Sequence, residues 1–427
     1  MLQIAHIQAH KEEVIEALQK RHFSKATELV ENAISIDNER KTTQSSLNEL
    51  QAGANEVAKS IGVLMRQGKK EEANQAKEKA AQNKQTIKNL EDKLKELESD
   101  LTNCLYEIPN TPYKDVVAGK GADDNQILEE WGAIPTLADD AMPHWELIKK
   151  YDIIDFELGV KITGAGFPVY KGKGARLQRA LINYFLDEAI AAGYNEVQPP
   201  ILINEASGYG TGQLPDKEGQ MYEATADNLF LIPTAEVPIT NLYRDEIVKE
   251  SDFPIKMTGH TPCFRREAGS WGADVRGLNR LHQFDKVELV AIEHPEKSYQ
   301  RLENMLSHVK GLLEALELPY RVLRLCGGDM GFTAAMTYDL EVYSAAQGRW
   351  LEVSSVSNFE TYQSNRLQLR YQSQDTSDKK KHLAHTLNGS ALALPRIVAT
   401  ILENNQTKDG IKIPKVLQDY CRFEQID

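Results

Sequence analysis

Two short segments of the sequence carry charged and aromatic side chains at alternating positions, and a glycine-containing loop separates them. The segments cover residues 262–267 and 281–290, and their alternating positions hold Arg265, Glu267, His282, Phe284, Lys286 and Glu288. Because every second side chain of a β-strand lies on the same face, the segments predict two strands that each have a polar face. If the two faces meet, a guanidinium, carboxylates and an aromatic ring converge.

This set of groups suits a nucleotide. A guanidinium can bind a phosphate through two parallel hydrogen bonds, an aromatic ring can stack on a base, and a carboxylate can accept hydrogens from an amino group. The same residues have a simpler explanation, in which Arg265 and Glu267 form a surface ion pair and Phe284 packs in a core. For such a trio in isolation the simpler explanation is favoured, so the rest of the sequence must decide.

The first hundred residues predict a coiled coil. Apolar and small residues recur at alternating spacings of three and four along residues 47–64 and again along residues 73–101, as they do on the seam of paired helices. The break between the two runs falls at residues 66–69, so we expect an antiparallel helical hairpin on the order of 40 Å long, at about 1.5 Å per residue. On this pattern alone it is a solvated coiled coil with no special partner.

Two prolines mark the end of the helical region, because Pro109 and Pro112 lie too close together to fit inside a helix. Beyond them, short apolar segments punctuated by Gly and Pro alternate with helical stretches, and no repeat is evident. The sequence therefore predicts an N-terminal helical arm at residues 1–108 and an α+β domain at residues 109–427, built on an antiparallel sheet flanked by helices.

Composition excludes several classes of protein. Of the 427 residues 41% are hydrophobic, and the formal net charge is −13, which argues against indiscriminate binding of polyanions. No apolar run approaches the roughly 20 residues that cross a bilayer, and the N-terminus lacks the pattern of a signal peptide, so we expect a cytoplasmic protein with no membrane partner. The four cysteines are scattered, and no zinc is expected.

The two polar segments at residues 262–267 and 281–290 resemble a known family. Residues 263–270, together with residues 282–288, are similar to motif 2 of the seryl-tRNA synthetases, which are class II aminoacyl-tRNA synthetases. Residues 232–238, Ile-Pro-Thr-Ala-Glu-Val-Pro, are similar to the serine-binding segment of that family.

The resemblance extends over nearly the whole chain. Residues 351–359, Leu-Glu-Val-Ser-Ser-Val-Ser-Asn-Phe, resemble the family's ATP-binding strand, and residues 386–390, Thr-Leu-Asn-Gly-Ser, leading to Arg396, resemble its motif 3. Residues 193–200 resemble motif 1, which forms the dimer interface in this family. The separate blocks occur in the family's order.

The resemblance implies a reaction in two steps. L-serine and ATP give seryl-adenylate and pyrophosphate, and serine is then transferred to the 3′ end of the serine tRNA, with the selenocysteine tRNA as a second candidate acceptor. Catalysis of this kind relies on positioning and on neutralising phosphate charge, so ATP and Mg²⁺ are required and no covalent enzyme intermediate is needed.

The resemblance also implies roles for individual residues at matching positions. The catalytic residues would be Arg265, Glu267 and Arg396. Serine would be bound by Thr234, Ala235, Glu236, Arg265, Glu288, Asn388 and Ser390. ATP would be bound by Arg265, Arg266, Glu267, Leu281, Phe284, Glu352, Val353, Ser354, Ser355 and Arg396. Mg²⁺ would be held by Glu352 and Ser355.

The helical hairpin gains a function only through the same resemblance. In the family this arm binds the long variable arm of the serine tRNA, usually across a homodimer. In this chain Arg66, Lys69 and Lys70 lie at the expected tip, where they could contact phosphates.

The sequence departs from the family pattern at two places. Ala273 and Val275 stand where the family more often has Arg and Thr, although Arg276 is retained, so contacts with the tRNA acceptor stem are the least secure inference. Pro395 replaces a glycine shortly before Arg396. Proline suits the first turn of a helix much better than its interior, so we expect a helix to begin close to Leu394.

Two other functions fit parts of the sequence. A related ligase could load an amino acid onto a carrier protein through the same adenylate chemistry, but it would be expected to lack the long hairpin. A catalytically inactive relative could act as a dimeric scaffold or as an RNA-binding module. The presence of Arg265, Glu267, Glu288, Glu352 and Arg396 argues against that second alternative.

Overall fold

The structure, a computed structural model, describes residues 1–267 and 276–427 of the chain. These residues divide into two compact units. The first unit consists of residues 1–19 and 23–109, and the second consists of residues 20–22 and 110–427.

Helices build the first unit. They are α1 (Ile4–Ala9), α2 (Lys11–Lys20), α3 (Ala26–Arg66) and α4 (Lys70–Glu107). The chain reverses between α3 and α4 at residues 67–69, where Gly68 has a φ of +76°, a left-handed conformation that glycine adopts without a steric penalty. α3 and α4 pack side by side along their length. The helical hairpin predicted from the sequence is therefore confirmed.

The seam that the spacing of apolar residues predicts forms the more buried face of α3 and α4 in this hairpin. Its buried positions include Leu47, Ala73, Leu97 and Leu101, whereas the charged side chains between them are mostly exposed. Val57 and Ile61, nearer the tip, are only partly buried, so each turn there contributes less apolar burial. Glu39 and Lys93 form an ion pair of 2.6 Å between the two helices.

The second unit contains both strands and helices. Its helices are α5 (His144–Lys150), α6 (Phe156–Ile162), α7 (Gly172–Ala191), α8 (Glu205–Thr211), α9 (Glu236–Asn241), α10 (Ser298–Ala315), α11 (Thr361–Leu367), α12 (Leu394–Asn404) and α13 (Lys415–Cys421). Its strands are β1 (Gln126–Trp131), β2 (Ile154–Asp155), β3 (Val169–Tyr170), β4 (Asn195–Glu196), β5 (Leu202–Asn204), β6 (Glu223–Ala224), β7 (Leu229–Leu231), β8 (Ile247–Lys249), β9 (Ile255–Phe264), β10 (Gln283–Glu293), β11 (Tyr320–Arg324), β12 (Met336–Ser344), β13 (Arg349–Glu360), β14 (Arg370–Gln372), β15 (Lys381–Leu383), β16 (His385–Ala393), β17 (Gln406–Thr407), β18 (Gly410–Lys412) and β19 (Gln425–Ile426).

An eight-stranded sheet lies at the centre of this unit, in the order β1-β11-β12-β13-β16-β10-β9-β4. All neighbouring strands are antiparallel except β4 and β9, which run parallel. The predicted α+β class, with an antiparallel sheet flanked by helices, is confirmed. Within residues 1–267 and 276–427, none of the helices has the length and apolarity needed to cross a membrane.

One face of the central sheet packs against α7, α10 and α12, and part of the other face positions polar groups. The core on the packed face includes Val287 and Leu289 of β10, Leu181 of α7, Val309 of α10 and Ile401 of α12. Because successive side chains of a strand alternate between the faces, Lys286 and Glu288 project from the opposite face of β10.

Candidate active site

A cluster of buried polar side chains lies where β10 and β16 run side by side. Glu288 is completely buried, and its cross-strand partner on β16 is Ser390. The side-chain amide of Asn388, two residues away, donates to Glu288 Oε1 and to Glu236 Oε2, both at 3.0 Å. One amide therefore bridges two buried carboxylates.

A buried lysine offsets part of this negative charge. Lys286 contacts Glu288 Oε2 through its ammonium group and also donates to Thr234 Oγ1 at 2.9 Å. Thr234 Oγ1 in turn donates to Glu288 Oε2 at 3.2 Å and accepts from the Glu236 backbone N–H at 3.2 Å. A hydroxyl has one donor and two acceptor positions, so this network uses the full capacity of Thr234.

The segment that leads into α9 delivers three of the predicted residues to this cluster. Thr234 and Glu236 reach the polar network, whereas Ala235 is fully buried in an apolar cluster with Val290 of β10. The apolar anchor fixes the segment against the sheet. The residues on either side of Ala235 are thereby held next to Glu288.

Two further members of the network were not predicted from the sequence. Gln363, in α11, donates from Nε2 to Glu236 Oε1 at 2.6 Å and accepts from the Thr386 hydroxyl at 2.7 Å. Both side chains are buried. A single glutamine in a short polar segment gives no sequence signal of burial, because glutamine is usually exposed.

The carboxyl group of Glu236 has a raised pKa. Burial, and next the negative charge of Glu288, raises the pKa of its carboxyl to about 7, while the hydrogen bond from Gln363 and the positive charges of Lys286 and Arg265 lower it. This carboxylate therefore gains a proton more easily than an ordinary glutamate. A ligand that brings a positive charge would favour the ionised form.

Arg265 links this cluster to a second group of predicted residues. Its guanidinium lies 5.3 Å from the centre of the Phe284 ring, within the range of a cation–π contact, and its Nε donates to Pro233 O at 3.3 Å. Its charge acts both on the Glu236 carboxyl and on the Arg396 guanidinium. Arg265 therefore acts electrostatically on both the acid cluster and Arg396.

Arg396 lies in the first turn of α12. It donates from Nε to Asn279 O at 3.1 Å and from Nη1 to Glu352 O at 2.6 Å. Burial lowers the pKa of its guanidinium, and nearby Glu352 opposes that effect. The helix begins at Leu394 with Pro395 in its first turn, so the expectation from the proline is confirmed.

A buried histidine fixes the backbone that holds Arg396. His144 Nε2 accepts from the Leu278 N–H at 2.8 Å, so its other ring nitrogen carries the proton and faces Glu403 Oε1 at 2.6 Å. The side-chain amide of Asn279, the next residue along, donates to Gln347 Oε1 at 3.1 Å. The sequence did not point to these contacts, since all of them join segments far apart in the chain.

The structure differs from the prediction at the end of the first motif 2 strand. β9 ends at Phe264, and although the Arg265 N–H still donates to His282 O at 3.0 Å, Glu267 has a φ of +48°. Arg265 and Glu267 therefore do not share one face of a regular strand. The positive φ turns the chain, and the Glu267 carboxylate pairs with Arg280 at 2.7 Å.

The remaining motif 2 residues lie around this turn. The Arg266 guanidinium sits 5.8 Å from the centre of the Tyr222 ring, and Leu281 is buried. Ala273 and Val275 lie outside the described residues. Arg276 lies within them, with its guanidinium 4.7 Å from the ring centre of Trp145.

A β-bulge brings Glu352 and Ser355 to one face of β13. In the register with β12, Glu341 opposes Glu352 and Asp339 opposes Ser355, and the shift lies between Leu340 and Glu341. Residues three apart in a regular strand face opposite sides, but the extra residue of a bulge restores a common face. Val353 is consequently buried in the apolar core.

Ser354 has a different environment from Ser355. Its side chain is buried, and its hydroxyl donates to the backbone oxygen of Ser390 at 2.5 Å. This bond joins β13 to β16. Of the two serines, only Ser355 shares a face with Glu352.

Asp339 supplies a test of whether a divalent cation fits beside Glu352. Its Oδ1 is buried without a hydrogen-bond partner. Burial and the charge of Glu352 raise the pKa of its carboxyl, and a hydrogen bond from Ser355 opposes the shift. An unpartnered buried oxygen beside a second carboxylate and a hydroxyl suits Mg²⁺, which prefers oxygen ligands and completes its shell with water and phosphate.

The comparison with known protein families covers most of the chain. Residues 1–112 match the seryl-tRNA synthetase N-terminal domain, and residues 220–405 match the tRNA synthetase class II core domain of the G, H, P, S and T enzymes. The serine–tRNA ligase of Salinibacter ruber is 48% identical over 427 residues, which are 100% of this chain and 99% of the relative. That of Prosthecochloris aestuarii is 45% identical over 430 residues, with 100% and 99% covered.

Solved structures give the same result. The seryl-tRNA synthetase from Pyrococcus horikoshii complexed with ATP has a TM-score of 0.93 at 32% identity, covering 100% of this chain and 99% of that one. The cytoplasmic serine–tRNA ligase from Naegleria fowleri in complex with AMP has a TM-score of 0.87 at 26% identity, with the same coverage. With both domains matched and the relatives similar from end to end, this chain belongs to the seryl-tRNA synthetase family.

Proposed function

We propose that this chain activates L-serine with ATP to form seryl-adenylate and pyrophosphate, and then transfers serine to the 3′ end of the serine tRNA. The observation that carries the proposal is Arg265, which packs against the Phe284 ring and whose charge acts on both Glu236 and Arg396. An amino acid and a triphosphate could thus lie side by side, as adenylate formation requires.

The nucleotide would bind at the Arg396 side of this space. Arg265 would hold the α-phosphate together with the serine carboxylate, Phe284 would stack on adenine, and Arg396 would hold the γ-phosphate. Glu267 would accept hydrogens from the adenine amino group. Support comes from the cation–π contact between Arg265 and Phe284 and from the charges of Glu267 and Arg265 around Arg396.

Serine would bind at the acid cluster. Glu288 and Ser390 would bond its hydroxyl, while Thr234, Glu236 and Asn388 would orient its ammonium group. Alanine and glycine lack the hydroxyl and would leave a completely buried carboxylate without its partner, which is costly. Threonine has an additional methyl group that the packed cluster would reject.

Magnesium would be held by Glu352 and Ser355, with Asp339 nearby. Bound Mg²⁺ neutralises phosphate charge and orients the leaving pyrophosphate. Arg265 and Arg396 would add positive charge at opposite ends of the triphosphate. The protein's own part of the chemistry is then to position the serine carboxylate against the α-phosphate.

The helical arm, residues 1–108, would bind the tRNA, and residues 109–427 would carry the reaction. Arg66, Lys69 and Lys70 at the tip would contact phosphates of the long variable arm. The active form would be a homodimer that works in the cytoplasm. Support for the dimer comes from Ile190, Ile201 and Leu202, which are large, exposed apolar side chains close to residues 193–200.

Charging of tRNA separates this function from the ligase that loads a carrier protein. The purified protein is incubated with ATP, Mg²⁺, labelled serine and either a serine tRNA transcript or a panel of acyl carrier proteins. We expect serine to become attached to the 3′ end of the tRNA and to no carrier. Label on a carrier protein alone would contradict the proposal and favour the alternative.

A further inference from the structure

Gln363, in α11, makes three buried polar contacts, although no motif includes it. It is 1% exposed. Its Nε2 lies 2.6 Å from Glu236 Oε1 and 3.2 Å from Thr211 O, and its Oε1 accepts from the Thr386 hydroxyl at 2.7 Å. Every polar atom of the side chain is therefore used.

These contacts fix which end of the amide faces Glu236. A backbone carbonyl can only accept a hydrogen bond, so the atom next to Thr211 O must be the nitrogen of Gln363. The same nitrogen reaches Glu236. Gln363 can therefore donate to that carboxylate but cannot accept from it, and a donor stabilises the ionised form.

Few other groups control the charge of Glu236. The charged side chains that act most on its pKa are Glu288 and Lys286, both on β10, and Arg265, just beyond the end of β9. α11 and β16 present neutral groups to it, Gln363 and Asn388 respectively. Of these neutral groups, Gln363 makes the shorter contact with the carboxylate.

We propose that Gln363 is a positioning residue, which holds the Glu236 carboxylate in place and ionised for the ammonium group of the amino acid substrate. The inference rests on the proposed function and deepens it. Gln363 does not touch the substrate. It acts through Glu236, and Thr386 holds it in the orientation that donates.

The test is the serine KM of Gln363→Met between pH 6 and 9, measured by serine-dependent exchange of pyrophosphate into ATP. Methionine has a similar length and volume but cannot donate. A hydrogen bond to a charged group is lost, so we expect the serine KM to rise roughly 10- to 100-fold at pH 7 with little change in the ATP KM. Because the bond lowers the pKa of Glu236, its loss should also move the pH at which the serine KM begins to rise to a higher value.

Gln178→Met is the matched control. Gln178 is also a buried glutamine that donates to a carboxylate, Asp285, at 3.0 Å, but it lies outside the acid cluster. The Gln178→Met substitution should leave the serine KM and its pH profile unchanged. If Gln363→Met does not fold, Thr386→Val, which only releases Gln363 Oε1, should give a smaller shift of the pH profile in the same direction.

The inference is overturned if Gln363→Met matches the control, if its pH profile stays in place, or if the serine and ATP KM values rise in parallel. A wild-type protein that exchanges no pyrophosphate with serine is a separate outcome. It would overturn the proposed function, on which this inference depends.

Discussion

Glu236 and Glu288 are two buried carboxylates; the buried ammonium of Lys286 contacts Glu288 and acts on Glu236 through its charge. An excess of negative charge in a buried place is unfavourable unless a ligand compensates it. The ammonium group of an amino acid supplies that compensation. We propose that the pocket discriminates through Glu288, because the hydrogen bond from a ligand hydroxyl to this carboxylate is lost when the ligand has no hydroxyl.

Glu288→Ala removes the proposed partner of the serine hydroxyl and leaves Lys286 without its carboxylate. We expect the serine KM in pyrophosphate exchange to rise by roughly 100-fold or more, with the ATP KM within about threefold of wild type. Glu157→Ala, at an exposed position of α6, is the control. An unaffected serine KM in the Glu288 variant would refute the assignment.

The pH dependence of serine binding follows from Glu236. Its pKa is raised to about 7, so the carboxylate is ionised above that pH and protonated below it. We expect the serine KM to be constant near pH 8 and to rise as pH falls, by up to about tenfold per unit below pH 6.5. In Glu236→Gln the KM should be high and independent of pH over this range. A flat wild-type profile between pH 6 and 8 would contradict this prediction.

The sequence predicted the elements better than their ends. The spacing of the seam was enough to place the hairpin, since helical periodicity is a local property. The sequence did not predict that β9 ends at Phe264, because this end depends on the positive φ of Glu267. Nor did it predict the bulge beside Val353, because a bulge is defined only by the register with the neighbouring strand.

The candidate site was predictable to a similar extent. Thr234, Glu236, Glu288 and Asn388, which the resemblance named, do contact one another, but Gln363, His144 and Asp339 were missed. Each acts through contacts with segments distant in the chain. Such tertiary contacts leave no periodic signal, so only coordinates could reveal them.

The helical arm should be separable from the chemistry. Deleting residues 40–95 and joining the ends by a short flexible linker is feasible, because the Glu39–Lys93 ion pair brings α3 and α4 together at that level. We expect the shortened protein to retain serine-dependent pyrophosphate exchange and to lose tRNA charging. The full-length Arg66→Ala/Lys69→Ala/Lys70→Ala variant should lose part of the charging and none of the exchange. Loss of both activities on deletion would count against a separate arm.

The molecule as a whole carries a charge of −13, which repels a polyanion such as tRNA. The tRNA binding that we propose would therefore depend on local positive groups such as those at the tip of the arm, and it should weaken with salt.

The proposed dimer would bury the exposed apolar side chains Ile190, Ile201 and Leu202 against a second copy of the chain.

We expect a molar mass in solution of twice the 48.0 kDa of one chain, measured by light scattering after gel filtration. Ile201→Asp/Leu202→Asp should give the mass of a single chain, because charges would have to be buried in the interface. Val63→Asp, at an exposed apolar position of the arm, should remain dimeric. A wild-type protein with the mass of one chain would exclude the dimer.

The central claim is that one space, with Arg265 at its middle, holds a triphosphate and a small hydroxylated amino acid together. Exchange of labelled pyrophosphate into ATP, measured with serine, threonine, alanine and glycine in parallel, tests it most directly. We expect exchange with serine and a kcat/KM lower by roughly 10³-fold or more for each of the other three. Equal exchange with alanine, or none with serine, would contradict it.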